Sequence, residues 1–125
     1  MLVNSPVMAF VATVDPNRSR AFYEIALGLR FVTDDGFALV FDCAGVMLRV
    51  QKVERLEPHP FTALGWLVKD IDASVRDLES RGVIIEKYPF VEDAGGIWTA
   101  PGGARIAWFK DPDGNTLSLT QFPGK

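Results

Sequence analysis

The chain carries its plan twice. An apolar, β-branched stretch over residues 7–14 runs into Asp15-Pro16, and a second over residues 61–68 runs into Asp70-Ile71-Asp72. Asp15 and Asp70 stand 55 residues apart, at matching places in the two copies. An aspartate after a strand is a helix N-cap, because its carboxylate accepts the unsatisfied N–H groups of the first helical turn. In the first copy Pro16 takes the first helical position, where a missing N–H costs nothing. Two copies are too few for a solenoid, so the repeat predicts two half-sheets that each carry a helix.

The remaining elements follow from periodicity. Phe22, Ile25, Ala26 and Leu29 recur at i, i+3, i+4 and i+7, a helix with one face on a sheet, and Gly28 supplies its stop. Short strands are expected over 29–33, 37–43 and 46–53, with Asp34-Asp35-Gly36 and Ala44-Gly45 as turns. In the second copy Asp70 or Asp72 caps a helix with Ile71, Val75 and Leu78 on one face, and Gly82 ends it. Residues 83–87 read as a strand and 88–103 as a long irregular loop. Asp111-Pro112-Asp113-Gly114 is strong turn chemistry. After it, Leu117 and Leu119 alternate with Thr116, Ser118 and Thr120. That strand has one apolar face and one hydroxyl-bearing face. The expected fold is α+β, one domain over 1–125. Two tandem βαβββ modules (about 7–53 and 61–122, with a linker at 54–60) form a partly closed mixed sheet around a central cleft.

Composition narrows the partners. A chain of 125 residues buries roughly two-thirds of its unfolded surface and needs no staple. A net charge of −3 without a basic cluster argues against nucleic acid. The single cysteine, Cys43, cannot form an internal disulfide and reads as a small buried hydrophobe in a reducing compartment. No apolar run reaches the roughly 18 residues of a membrane span, and the start lacks signal-peptide character. The expectation is a cytoplasmic protein with no membrane partner.

Phe22-Tyr23 followed by Leu27-Gly28, then Val68-Lys69-Asp70-Ile71-Asp72, then Phe109 with Asp111-Pro112-Asp113-Gly114-Asn115, stand in this order along the chain. They resemble the first-helix, second-helix and last-hairpin motifs of the vicinal oxygen chelate superfamily. That group holds glyoxalase I, extradiol dioxygenases, fosfomycin-resistance enzymes and bleomycin-resistance binding proteins. The resemblance covers residues 7–122. A ferredoxin-like domain, the rival fold, explains one half but neither the repeat nor the closing hairpin.

The resemblance implies a homodimer and one divalent ion, held by His, Gln or Glu on the first and last strands of each module. The first-strand ligand lies seven residues before the helix-opening aspartate, which falls on Met8 and Ala63. The last-strand ligand lies four residues after the turn glycine, which falls on Ser118 and on Arg49, or Leu48 if the register slips. A thioether is soft, alanine donates nothing, a neutral hydroxyl is weak and a guanidinium repels cations. His59, the one histidine, sits in the linker between Pro58 and Pro60 and reads as a solvated residue. No metal and no cofactor are expected.

What remains is a pocket. Met8, Phe10 and Ala12 on one strand, Met47 and Arg49 on another, small residues at Ala63 and Gly65 that leave volume, and Thr116 and Ser118 would wall it. One arginine among apolar groups suits a small molecule with a hydrophobic or aromatic body and an anionic or carbonyl end. Arg49 reads equally as a surface arginine with its stem laid over the sheet. Gly95-Gly96 and Gly102-Gly103 flank Trp98, which is either presented by a mobile flap or plugs the edge of the core. Trp108 reads as core or cavity wall. The aspartate pairs at 34/35, 70/72 and 111/113 sit in turns and caps and are assigned no acid–base work. Two functions fit. One is a metal-free binding protein of the bleomycin-resistance type. The other is a lyase, isomerase or dioxygenase with a displaced metal, or with cofactor-free chemistry on Arg49, Ser118, Tyr23 or Cys43; no catalytic residue is identified.

Overall fold

Thr13 and Asp15 turn the first strand into the first helix. The Thr13 hydroxyl accepts the Asp15 N–H at 3.1 Å, and the Asp15 carboxylate accepts the Arg18 N–H at 3.2 Å. The computed structural model describes residues 1–124, which divide into a unit Met1–Glu57 and a second unit beginning at Pro58. Each unit has its own four-stranded mixed sheet and one α-helix, so the α+β class and the two modules stand as the repeat predicted.

The first unit runs β1 (Met8–Thr13), α1 (Pro16–Ala21), β2 (Arg30–Asp34), β3 (Ala38–Cys43) and β4 (Val46–Lys52). Its strand order is β1-β4-β3-β2, with β1 parallel to β4 and the other pairs antiparallel. Val11, Thr13, Leu39, Phe41, Leu48 and Val50 are buried on one face of this sheet. The Tyr23 ring lies 5.9 Å from that of Phe41.

The helix face departs from the expected one. Ile25 is 68% exposed, whereas Ser19 and Tyr23 are fully buried. Ser19 and Tyr23 stand at i and i+4 on the face that packs, and Ile25, two residues beyond Tyr23, lies about 200° around the helix from it. The segment ends in a π-helical turn over Phe22–Ala26, in which the Leu27 N–H reaches back to the Phe22 carbonyl at 2.9 Å. An extra residue in the turn rotates everything after it relative to a regular 3.6-residue period. Gly28 then stops the helix at φ +72°, with the Leu29 N–H bonded to the Tyr23 carbonyl.

The second unit runs β5 (Thr62–Leu67), α2 (Ile71–Ser80), β6 (Trp98–Thr99), β7 (Arg105–Lys110) and β8 (Thr116–Gln121), in the order β5-β8-β7-β6. Asp70 is the α2 cap, accepting the Ala73 N–H at 3.1 Å, and the Gln121 side chain accepts the Ile71 N–H at 2.8 Å. Asp72 does a different job: both its oxygens hold the Arg105 guanidinium, at 2.7 and 3.0 Å, which ties α2 to β7. Ile71, Val75 and Leu78 are buried, as their spacing required.

Residues 83–87 do not form the expected strand. Ile85 makes a single bridge with Phe109, and the Glu86 N–H bonds the Trp108 carbonyl. Pro89 then follows, and a residue without an N–H cannot extend the ladder. The two-residue β6 takes the edge place beside β7.

The closing turn is tightly bonded. Asp111 accepts the N–H groups of Asp113 and Asn115 at 3.0 and 2.9 Å and the Asn115 side-chain amide at 2.9 Å. Gly114 sits at φ +86° in this turn. Both faces of β8 are buried from Thr116 to Leu119, so its hydroxyl face is not an open wall. Among the described residues, no helix is long and apolar enough to cross a membrane.

Candidate functional site

Pairing decides which side chains of the second unit share a face. Gly65 lies opposite Ser118, Ser118 opposite Trp108, and Trp98 opposite Ile106. Side chains alternate along a strand, so Trp98, Trp108, Lys110, Thr116 and Ser118 all stand on one face of this sheet. The chain after Ile85 crosses that face. Tyr88 and Phe90 stack on each other with ring centroids 5.6 Å apart, and each meets Trp108 edge-on, at 5.6 and 5.8 Å. Phe90 also meets Trp98 edge-on at 5.6 Å, and Trp98 lies 6.0 Å from Trp108. The Trp108 indole N–H donates to the Thr62 hydroxyl at 3.2 Å, which fixes the ring plane.

This wall borders a cavity of about 340 Å³, lined by Pro60, Phe61, Thr62, Tyr88, Phe90, Trp108 and Thr116. A second, of about 440 Å³, shares Pro60, Tyr88 and Thr116 with it and adds Pro58, His59, Lys110 and Gly114. His59 is exposed in the linker, as expected, and it has an aromatic neighbour. Its ring stacks on Phe61 with centroids 5.0 Å apart and planes 9° from parallel. A third cavity, of about 350 Å³, is lined by Phe90, Glu92, Asp93, Ile97, Trp98 and Thr99.

The glycines around Trp98 build structure. Gly96, at φ +86°, passes so close to Ile85 that a Cβ there would meet it at 2.7 Å. Gly103, also at positive φ, closes a turn back to Ala100. Trp98 is thereby held in a short strand against β7 and packed among aromatic rings.

Not every expected wall residue opens volume. A Cβ on Gly65 would sit 2.7 Å from the Ser118 hydroxyl, so Ser118 already fills the space that glycine leaves. Ala63 is the extra residue of a β-bulge between Thr62 and Leu64 and drops out of the ladder.

In the first unit the register sets Met8 opposite Met47 and Phe10 opposite Arg49. These four share a sheet face, and Met8, Phe10 and Met47 are 47%, 53% and 41% exposed. Leu48 points the other way into the core and is fully buried. Arg49 is taken: its guanidinium lies 2.7 Å from a carboxylate oxygen of Asp35. The Arg49 bond, with the Phe37 and Ala38 N–H groups, pulls the Asp35 carboxyl down to about 2. Lys52 holds Asp34 likewise at 2.8 Å and lowers it too. Burial and the neighbouring Asp42 push the Cys43 thiol up, which keeps it protonated and a poor nucleophile.

Neither Met8 and Arg49 in the first unit nor Ala63 and Ser118 in the second supplies donors that fit a divalent ion. Among the described residues no three of His, Cys, Asp or Glu gather into a group that could hold one.

Tyr88, Phe90, Phe61, Thr62, His59 and Lys110 were not among the expected site residues. Two of these groups straddle a proline, His59-Pro60-Phe61 and Tyr88-Pro89-Phe90. A residue before proline is held extended, which sends the flanking side chains the same way. That pattern was the available signal.

The family model described as Glyoxalase/Bleomycin resistance protein/Dioxygenase superfamily matches residues 5–119. No curated protein matches the sequence. Among solved structures, a glyoxalase family protein from Bacillus anthracis is similar at 16% identity, 97% coverage of both chains and a TM-score of 0.76. A lactoylglutathione lyase from Agrobacterium tumefaciens is similar at 20% identity, 95% coverage of both and 0.69. The fosfomycin resistance protein FosX from Listeria monocytogenes is similar at 15% identity and 0.71, covering 94% of this chain and 90% of its own. At these identities the likeness is one of fold.

Proposed function

This chain belongs to the Glyoxalase/Bleomycin resistance protein/Dioxygenase superfamily, and from that premise we propose that it is a metal-independent small-molecule binding protein. It resembles the bleomycin-resistance members in mode of action, holding its ligand rather than transforming it. The observation that carries this reading is the wall of Tyr88, Phe90, Trp98 and Trp108 beside a cavity of about 340 Å³. Rings packed edge-on and stacked give an apolar surface with large contact area and little entropy to lose. Phe61 and Phe90 remain 61% and 55% exposed at its rim, and exposed aromatic surface of this kind is what a ligand covers. The ligand is flat and hydrophobic or aromatic in body, with a polar end of anionic or carbonyl character.

The enzymatic alternative finds little support in the groups it would use. Tyr23 is fully buried in the first unit's core, and the Cys43 thiol is shifted away from the reactive form. The family's chemistry leans on a metal as electrophile, and the donor set here is wrong for one. We place the protein in the cytoplasm as a homodimer, in keeping with its family.

Dialysed protein, checked by elemental analysis, should be titrated with flat aromatic probes and followed by tryptophan fluorescence. Saturable quenching in metal-free protein, weakened about tenfold or more in Trp108→Leu, is the expected result. Binding that appears only when Zn, Ni, Mn or Fe is restored would sink the proposal.

A further inference from the structure

Resting on that reading, we infer that the ligand's polar end is an anion held in the lobe between His59 and Lys110. The lobe adjoins the aromatic cavity through Tyr88 and Thr116, so one molecule can occupy both. Its polar side chains are an imidazole, a phenol, an ammonium and a hydroxyl, all able to donate hydrogen bonds, and among the described residues no carboxylate lines it. Donors gathered around one small volume recognise an oxyanion such as a carboxylate, sulfonate or phosphate.

The linker gives the lobe its shape. Pro58 and Pro60 stiffen the backbone on either side of His59, whose ring rests on Phe61. Pro58 packs against Gly114, where a Cβ would come within 3.2 Å of its ring, so the Asp-Pro-Asp-Gly turn and the linker close on each other.

Arg49 is the rival anchor, and its bonding argues against it. Its 2.7 Å pair with Asp35 is closed, because Asp35 is itself fixed by two backbone N–H groups, and a ligand would have to break it. Lys110 is half-exposed and meets Glu86 at the looser distance of 3.4 Å, so its ammonium can swing to an incoming anion at small loss. The ligand class is therefore an aromatic acid whose ring stands against Trp108.

Naphthoate and its neutral counterpart naphthamide separate the inference from the reading beneath it. Both should quench tryptophan fluorescence, with naphthoate binding about 10-fold tighter or better, the worth of a charge-assisted hydrogen bond. High salt should weaken naphthoate and spare naphthamide. Lys110→Met should erase the preference while Lys110→Arg keeps most of it, and the preference should persist in Arg49→Met. Equal affinities, or a preference lost in Arg49→Met rather than Lys110→Met, overturn the anion lobe and leave the aromatic site standing. Failure of both probes to bind removes the binding reading and this inference together.

Discussion

Arg49 and Asp35 stand 14 residues apart in sequence, yet their side chains meet at 2.7 Å and tie β4 to the turn that joins β2 to β3. The other Asp35 oxygen accepts the N–H groups of Phe37 and Ala38, at 3.0 and 2.9 Å. One carboxylate thus fixes a turn and neutralises the charge that the apolar face of Met8, Phe10 and Met47 would otherwise carry unpaired. Its folded value of about 2 lies below the ordinary 3.8. A depressed carboxyl adds stability that is fully present above 3.8 and is lost as the pH falls through about 2. Side-chain carbon NMR should place the Asp35 midpoint near 2, and Arg49→Met should move it up toward 3.8 and flatten the acid limb of the unfolding curve. A midpoint unmoved in that variant would show that the backbone bonds alone hold the carboxylate.

Gly65 and Ser118 are coupled by contact. An alanine Cβ at position 65 meets the Ser118 hydroxyl at 2.7 Å and the Ser118 carbonyl at 3.3 Å. The hydroxyl can rotate, but the carbonyl belongs to β8 and cannot. Gly65→Ala should cost roughly 1–3 kcal/mol in urea unfolding, as overpacked sites do. Adding Ser118→Ala should recover part of that loss but not all. Full additivity of the two changes would show that the side chains do not touch.

Local signals in the sequence carried far, and contacts across the chain did not. Asp15 and Asp70 as caps, Gly28 and Gly82 as stops, and the alternation through Thr116 to Thr120 are each written within a few residues. The π-helical turn is not, because Phe22–Ala26 has an ordinary helical pattern and only the bond from the Leu27 N–H to the Phe22 carbonyl reveals the extra residue. Residues 83–87 carry strand-forming residues, but sheet membership was decided by Trp98 and Thr99 arriving at the same edge. The aromatic wall was legible only at Trp98 and Trp108. Tyr88 and Phe90 lie in the irregular loop and Phe61 at the start of the 61–68 stretch, and their convergence depends on how the loop crosses β7.

Ser19 offers a gain. Its hydroxyl is fully buried in α1, and among the described residues no hydrogen-bond partner reaches it. A buried polar atom without a partner costs free energy, and alanine is also the better helix former. Ser19→Ala should stabilise the protein by about 0.5–1.5 kcal/mol, read as a higher midpoint in urea with an unchanged slope. A destabilised variant would mean the hydroxyl contributes through packing that alanine forfeits.

Asp111 offers the opposite case, since three donors converge on one side chain. Asp111 and Asn115 are 5% and 7% exposed, so water cannot replace the lost acceptor. Asp111→Ala removes the carboxylate that accepts the Asn115 N–H and side-chain amide, which should cost about 2–3 kcal/mol. Asp111→Asn keeps one oxygen for the backbone donors but turns an amide toward the Asn115 amide, so it should fall between the alanine variant and the wild type. The turn also sets where β8 begins, and Thr116 at its start borders both halves of the proposed site. Asp111→Ala should therefore weaken aromatic probes under conditions where it is still fully folded, in step with its loss of stability. Probe affinity that stays at the wild-type level would show that Pro58 and the strand pairing hold Thr116 in place without the turn.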